Sequence, residues 1–325
     1  MTRVSGSGSW WLRRRLGAAG SARLRVRDRV AAPLHAAGDV LQGRIGLDDD
    51  ELSRFAEAFH LSSVANAVVG RGDADRLRTI AWWGSALADL VLDSDSPARD
   101  AILTEAAAFN LGVALFDSVV DDSAIPAGAL VEALEPKRMA ARLSSPYDQA
   151  FELSCRDSAL DLVVLLFDAM LASAGRRVFT DVNRRDLLAD QLESMYQSEL
   201  GLAPDPFIAK TGPVRFIGAL ATSSDSAVRL YSALARFCQE WDDWQDMADD
   251  LSRFAPNVFL GAPRLGAGAV AFAIKGTWRV GAGPLLHAGI ANRLSDRMQD
   301  IIDAARGCGT TTYCKTLRLC RELVG

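Results

Sequence analysis

The densest run of metal-binding side-chain chemistry in the chain is Gln239-Glu240-Trp241-Asp242-Asp243-Trp244-Gln245-Asp246-Met247-Ala248-Asp249-Asp250. Five aspartates fall within nine positions there, with Trp241 just before them and Trp244 among them. The preceding run, Tyr231 to Cys238, is apolar at helical spacing and has no Gly or Pro, so the pattern predicts a helix. On a helix Asp242 and Asp246 share a face, about 6 Å apart along the axis. Asp249 and Asp250 continue that face. Like charges at this spacing repel, so either water and salt screen them or a hard cation such as Mg²⁺ binds them. A solvated acidic face accounts for the charges. The tryptophans add that the same helix also meets something apolar.

A second carboxylate cluster lies earlier, in Leu115-Phe116-Asp117-Ser118-Val119-Val120-Asp121-Asp122. Asp117 and Asp121 are again four apart on one helical face. One such pair means little; two on long apolar helices say more. If the helices face each other across a bundle, Asp117, Asp121, Asp122, Asp242, Asp243 and Asp246 can hold several Mg²⁺ ions. The natural guest is a diphosphate, whose oxygens complete octahedral Mg²⁺ shells. Metal at those oxygens neutralises charge that grows as a C–O bond breaks. The departing group leaves an allylic carbocation in an apolar cavity.

These stretches resemble motifs of the trans-isoprenyl diphosphate synthases and, more broadly, the class I terpene synthase superfamily. Gln239, Asp242, Asp243 and Asp246 match the second aspartate-rich motif, F-Q-x-x-D-D-x-x-D, with Cys238 in place of phenylalanine. Asp117, Ser118 and Asp121 resemble the first, D-D-x-x-D, with its second acid replaced. Lys210-Thr211 resembles the K-T motif, whose lysine reaches the allylic diphosphate. Gln197, in Tyr196-Gln197-Ser198-Glu199, resembles the G-Q motif without its glycine. All four keep the family's order across roughly residues 70 to 265. The resemblance implies an all-α isoprenoid synthase bundle around a central cavity. It also implies ionisation by three Mg²⁺ ions, catalytic roles for Asp117, Asp121, Asp242, Asp243 and Lys210, and a homodimer. Lys210, Gln197, Gln239 and Arg78 would bind the diphosphate. By the same analogy the small Gly112, Val113 and Ala114 would floor a deep cavity, which favours a C15 or C20 substrate over C10.

The departures narrow the expected reaction. The family's G-K-R-x-R-P motif, which binds isopentenyl diphosphate, corresponds to Ala74-Asp75-Arg76-Leu77-Arg78-Thr79, where Asp75 replaces the lysine. Asn110 stands where a histidine is expected, and Ser123 to Gly128 contains no base. The allylic half of the site is therefore legible and the isopentenyl half is not. That points to a terpene synthase acting on one allylic prenyl diphosphate. Phe116, Trp82 and Trp241 are candidates to face the cation, with Trp83 and Trp244 near the same motifs; core packing is the more ordinary role for each. Arg215 or an arginine of the N-terminal arm is a candidate to close over the diphosphate. Two other readings stay open: a prenyltransferase that joins an allylic diphosphate to isopentenyl diphosphate or another nucleophile, and a non-catalytic subunit of a prenyl diphosphate synthase.

Composition is that of a globular chain: 325 residues, 49% hydrophobic and 24% charged. No apolar run is long enough to span a membrane. The triplet Arg13-Arg14-Arg15 follows Trp10-Trp11 after a single leucine, so no signal-peptide core is expected. Five cysteines, an odd number without zinc spacing, suit a reducing cytoplasm. Residues 1–30 hold eight arginines against Asp28, about +7, which leaves about −12 on the rest of a chain whose net charge is −5. Such an arm can be a flexible tail, a surface for nucleic acid or membrane, or a flap over an anionic substrate. No nucleic-acid partner and no stable membrane insertion are expected.

The elements that must position these residues read as helices. Residues 1–45 form a basic, partly flexible arm and 46–325 one all-α domain of about ten helices. The pattern predicts helices over 48–69, 76–92, 100–121, 147–174, 185–202, 213–222, 225–250, 270–275, 286–305 and 312–323.

Overall fold

The computed structural model describes residues 27, 29–31, 74–121, 134–147, 158–199, 205–247, 257–259 and 283–324. The expected helices at 48–69 and 270–275 lie outside these residues, as does the arm apart from helical residues 27 and 29–31. The described residues form ten helices and no strand: α1 Ala74–Asp89, α2 Arg99–Asp121, α3 Pro136–Ser144, α4 Ser158–Arg177, α5 Val182–Glu199, α6 Pro206–Ala209, α7 Gly212–Ala221, α8 Asp225–Gln245, α9 Gly283–Arg306 and α10 Thr310–Val324. The expected all-α class of about ten helices is thus observed. No described helix is long and apolar enough to cross a membrane.

One expectation changes, and one helix is new. Tyr147 sits in a turn at 75% exposure, outside the helix expected from 147, and the described part of α4 runs from Ser158, with 148–157 outside the described residues. The polar-looking stretch at 136–144 forms α3, which starts on Pro136, where a missing N–H costs nothing. It buries Met139, Arg142 and Leu143. Arg142 is one reason the apolar pattern hides this helix: its guanidinium pairs with Asp168 of α4, Nε to Oδ1 at 2.9 Å.

Contacts gather into two compact units, residues 43–232 and residues 1–42 with 233–325; the boundary falls inside α8. In the first unit α2 is the central helix, and α1, α4 and α7 pack on it. Gly84 allows the α1–α2 approach, since a Cβ there would lie 2.3 Å from the Ala106 carbonyl oxygen. Ser85 Oγ donates to the Leu103 carbonyl at 2.9 Å, and Asn110 Nδ2 to that of Ile80 at 2.6 Å. Phe109 stacks on Phe216 at 4.0 Å and meets Phe167 edge-on at 5.8 Å. All three rings are buried, which stabilises each by about 2–3 kcal/mol relative to exposure. Buried Glu105 accepts from Ser173 Oγ at 2.8 Å and from the Arg177 guanidinium, tying α2 to α4.

In the second unit α9 and α10 pack together, and Leu294, Met298, Ile301, Ile302, Leu317 and Cys320 on them are buried. Gly309, at φ 105°, makes the left-handed turn between them, which a side chain would disfavour.

Candidate functional site

The acidic stretch takes up the last two turns of α8 and runs past its end to Asp246, and its four described carboxylates divide into two kinds. Glu240 and Asp243 are buried; Asp242 and Asp246 are exposed. The division follows the helix stripe. Phe237, Trp241 and Trp244 are buried at i, i+4 and i+7, with Phe237 stacked on Trp241 at 5.6 Å and Trp241 tilted against Trp244 at 4.8 Å. Glu240 lies one residue before Trp241 on that stripe and is buried with it.

Glu240 is fully paired. Arg293 of α9 grips it in bidentate fashion, Nε to Oε2 and Nη2 to Oε1, both at 2.8 Å. Arg297, one turn further, donates Nε to Oε1 at 3.1 Å. Such forked pairs are strong and directional. The Arg293 guanidinium also stands 5.4 Å from the centre of the Phe259 ring.

Asp243 is equally committed. Its Oδ1 accepts from Gln239 Nε2 at 2.6 Å and its Oδ2 from the Val258 backbone N–H at 2.7 Å. Its carbonyl accepts from Asn257 Nδ2 at 2.5 Å, and Asn257 Oδ1 in turn accepts from the Phe259 N–H at 3.0 Å. Asn257 is wholly buried. Asp243, Gln239 and Asn257 therefore lock segment 257–259 onto α8. Gln239, expected at a diphosphate, spends its amide on Asp243. Trp241, expected beside a cation, is packed among Phe237 and Trp244.

Asp242 and Asp246 are joined through the backbone, Asp246 N–H to the Asp242 carbonyl at 2.9 Å. The Cys238 thiol, one turn before Asp242, is pushed up to about 12 by burial and, second, by the Asp242 charge. Burial likewise raises the Cys320 thiol on α10, with Cys238 adding to it.

In the 43–232 unit, Asp117 and Asp121 fall at the end of α2 and Arg78 on α1; their side chains, and all of Asp122, Asp249 and Asp250, lie outside what is described. Phe116 is fully buried. Trp82 is half-buried against Trp83, ring centres 4.7 Å apart. Gly112 does not open a cavity: the edge of the Phe167 ring lies 3.0 Å from where its Cβ would be. Gln197 donates Nε2 to Glu193 Oε1 at 2.9 Å, an i, i+4 pair on α5. Lys210 is half-buried in the turn before α7, and Thr211 Oγ1 donates to the Ile208 carbonyl at 2.6 Å.

Two residues carry signals that the motif reading passed over. Glu240 is a charge on an apolar stripe. Gln191 is an amide on the stripe Leu188-Leu192-Met195 of α5; it is 6% exposed and its buried Oε1 has no hydrogen-bond partner. An orphan acceptor of this kind costs about 1–3 kcal/mol.

Among the described residues no group of three or more His, Cys, Asp or Glu side chains gathers in a way that could hold a metal ion. The chemistry of the exposed pair still suits Mg²⁺, which commonly takes one or two carboxylates and completes its shell with water and phosphate oxygens. Comparison with family models, curated proteins and solved structures yields no match.

Proposed function

We propose that the chain is a Mg²⁺-dependent terpene synthase that ionises an allylic prenyl diphosphate and releases diphosphate and a terpene. The observation that carries this reading is the division on α8. Glu240 and Asp243 are buried and hydrogen-bonded, and Asp242 and Asp246 reach solvent one turn apart. Exposed carboxylates beside a helix end whose packing is secured by buried acids are within reach of a ligand.

In this reading Asp242 and Asp246 bind metal, as do Asp117, Asp121 and Asp122 at the end of α2 and just beyond it. Bound Mg²⁺ supplies Lewis-acid stabilisation of the departing diphosphate. Lys210 and Arg78 bind diphosphate oxygens. Gln239 becomes a positioning residue that sets Asp243, and Asp243 fixes the end of the acidic helix. Trp82 and Phe116 are the aromatic residues assigned to the cation. The enzyme is taken to work as a cytoplasmic homodimer, with neither nucleic acid nor membrane as partner.

A second reading, a non-catalytic subunit of a prenyl diphosphate synthase, draws on the commitment of both Asp243 oxygens and on Ser118 in the first motif. One experiment separates them. Incubation with geranyl, farnesyl or geranylgeranyl diphosphate and Mg²⁺, with no second substrate, should release a hydrocarbon or alcohol detectable by gas chromatography. Product only after addition of isopentenyl diphosphate or another acceptor would replace the synthase with a prenyltransferase. No turnover, with tight binding to a prenyl synthase, would favour the subunit.

A further inference from the structure

Asn257 is wholly buried, yet both ends of its amide are in use. Its Oδ1 accepts from the Phe259 N–H at 3.0 Å, and its Nδ2 donates to the Asp243 carbonyl at 2.5 Å. A residue placed only to fill space would be apolar, since a buried amide is costly unless paired. This amide instead reaches into the backbone of another element.

The carbonyl it reaches belongs to the last turn of α8. In a helix that ran on straight, the Asp243 carbonyl would accept from the N–H of Met247, four residues later. Here α8 ends at Gln245, Asp246 lies at a bend and Met247 is helical again. A side chain inserted into the carbonyl ladder is a known cause of such a bend. The Asp246 N–H still donates to the Asp242 carbonyl at 2.9 Å, so the bend falls at the second of the two exposed acids. Two further contacts hold Asn257 in place. The Val258 N–H donates to Asp243 Oδ2 at 2.7 Å. The Phe259 ring centre lies 5.4 Å from the guanidinium of Arg293, which grips Glu240 one turn before the bend.

We infer that Asn257 is a positioning residue for a divalent cation held by Asp242 and Asp246: its amide sets the bend at Asp246, and the bend sets how the two carboxylates stand to each other. The inference rests on the metal role given to these acids in the proposed function. Residues that orient metal ligands without touching the metal change its affinity by about ten- to hundred-fold. Coupling is reciprocal, so a cation on the two acids also tightens segment 257–259.

The test is binding of Mn²⁺ to the full chain without substrate, read from the electron paramagnetic resonance signal of the free ion. Mn²⁺ takes carboxylate and water ligands as Mg²⁺ does. Asn257→Ala and Asn257→Leu, the second close to the asparagine in shape, should each bind about ten-fold more weakly than the wild type. Arg297→Met is the control: it loosens α9 from Glu240 without touching the bend, and should bind as the wild type does. Unchanged affinity in a folded Asn257 variant overturns the inference. So does an equal loss in Arg297→Met, since general loosening would then explain it. A second measurement needs no variant: in the wild type, saturating Mg²⁺ should slow amide exchange at Val258 and Phe259 about ten-fold. Unchanged exchange overturns the inference. If the wild type binds the ion and any of these results goes the wrong way, the inference fails and the proposed function stands. If the wild type binds no ion, both fail.

Discussion

Glu240 on α8 and Gln191 on α5 occupy equivalent places, each a polar residue on the buried stripe of a helix, yet they are treated oppositely. Glu240 receives three hydrogen bonds from Arg293 and Arg297. Gln191 Oε1 receives none. Burying a polar group is costly unless it is paired. The first arrangement repays the cost within the chain and holds α9 to α8. The second leaves that cost standing inside a packed face.

The largest effect expected from disturbing this comparison is at Glu240. Glu240→Ala leaves two guanidiniums without their shared carboxylate and should lower stability by about 3 kcal/mol in chemical denaturation. That is the low end for a buried pair, because both arginines keep some exposure to water. A loss under 1 kcal/mol would mean that the network does not hold α9. Asp243→Ala should cost about 2–3 kcal/mol, because it removes the acceptor for Gln239 and the Val258 N–H. Its neighbour should behave differently: Asp242→Ala should stay within about 0.5 kcal/mol of the wild type, as exposed substitutions usually do. If the two neighbours destabilise equally, the division of the acidic stretch is wrong.

Gly84→Ala should cost about 1–3 kcal/mol, because the added methyl meets the Ala106 carbonyl across the α1–α2 contact. The smallest effect is a pH dependence at Cys238. Its thiol titrates at about 12 when folded, against about 8.5 unfolded. The stability it contributes is complete below the unfolded value and is lost as pH rises from about 8.5 toward 12. At pH 8, native Cys238 should react with a thiol reagent far more slowly than in the unfolded chain. Equal rates would contradict the raised thiol.

Much of the fold was legible because helical spacing is strong on α2, α5, α7, α8, α9 and α10, whose bounds fall within about five residues of the expected ones. Helix α3 was not legible: its buried face includes Arg142, and only the distant Asp168 makes that placement tolerable. At the site, the sequence identifies which residues are acidic but not which acids are spent. Asp242 and Asp243 look alike in the motif. Asp243 is singled out by segment 257–259, which begins fourteen residues further on and returns a backbone N–H to it. Gln197 and Gln191 pose the same problem: the motif selects Gln197, while the unpaired amide is Gln191.

The most direct test of the central claim is the rate of diphosphate release from farnesyl and geranylgeranyl diphosphate with Mg²⁺ alone, in the wild type and in Asp242→Ala. The account predicts release by the wild type from one of the two. It also predicts loss of that release in a variant that unfolds at the wild-type denaturant midpoint. Release undiminished in Asp242→Ala, or none from the wild type with either substrate, would contradict it.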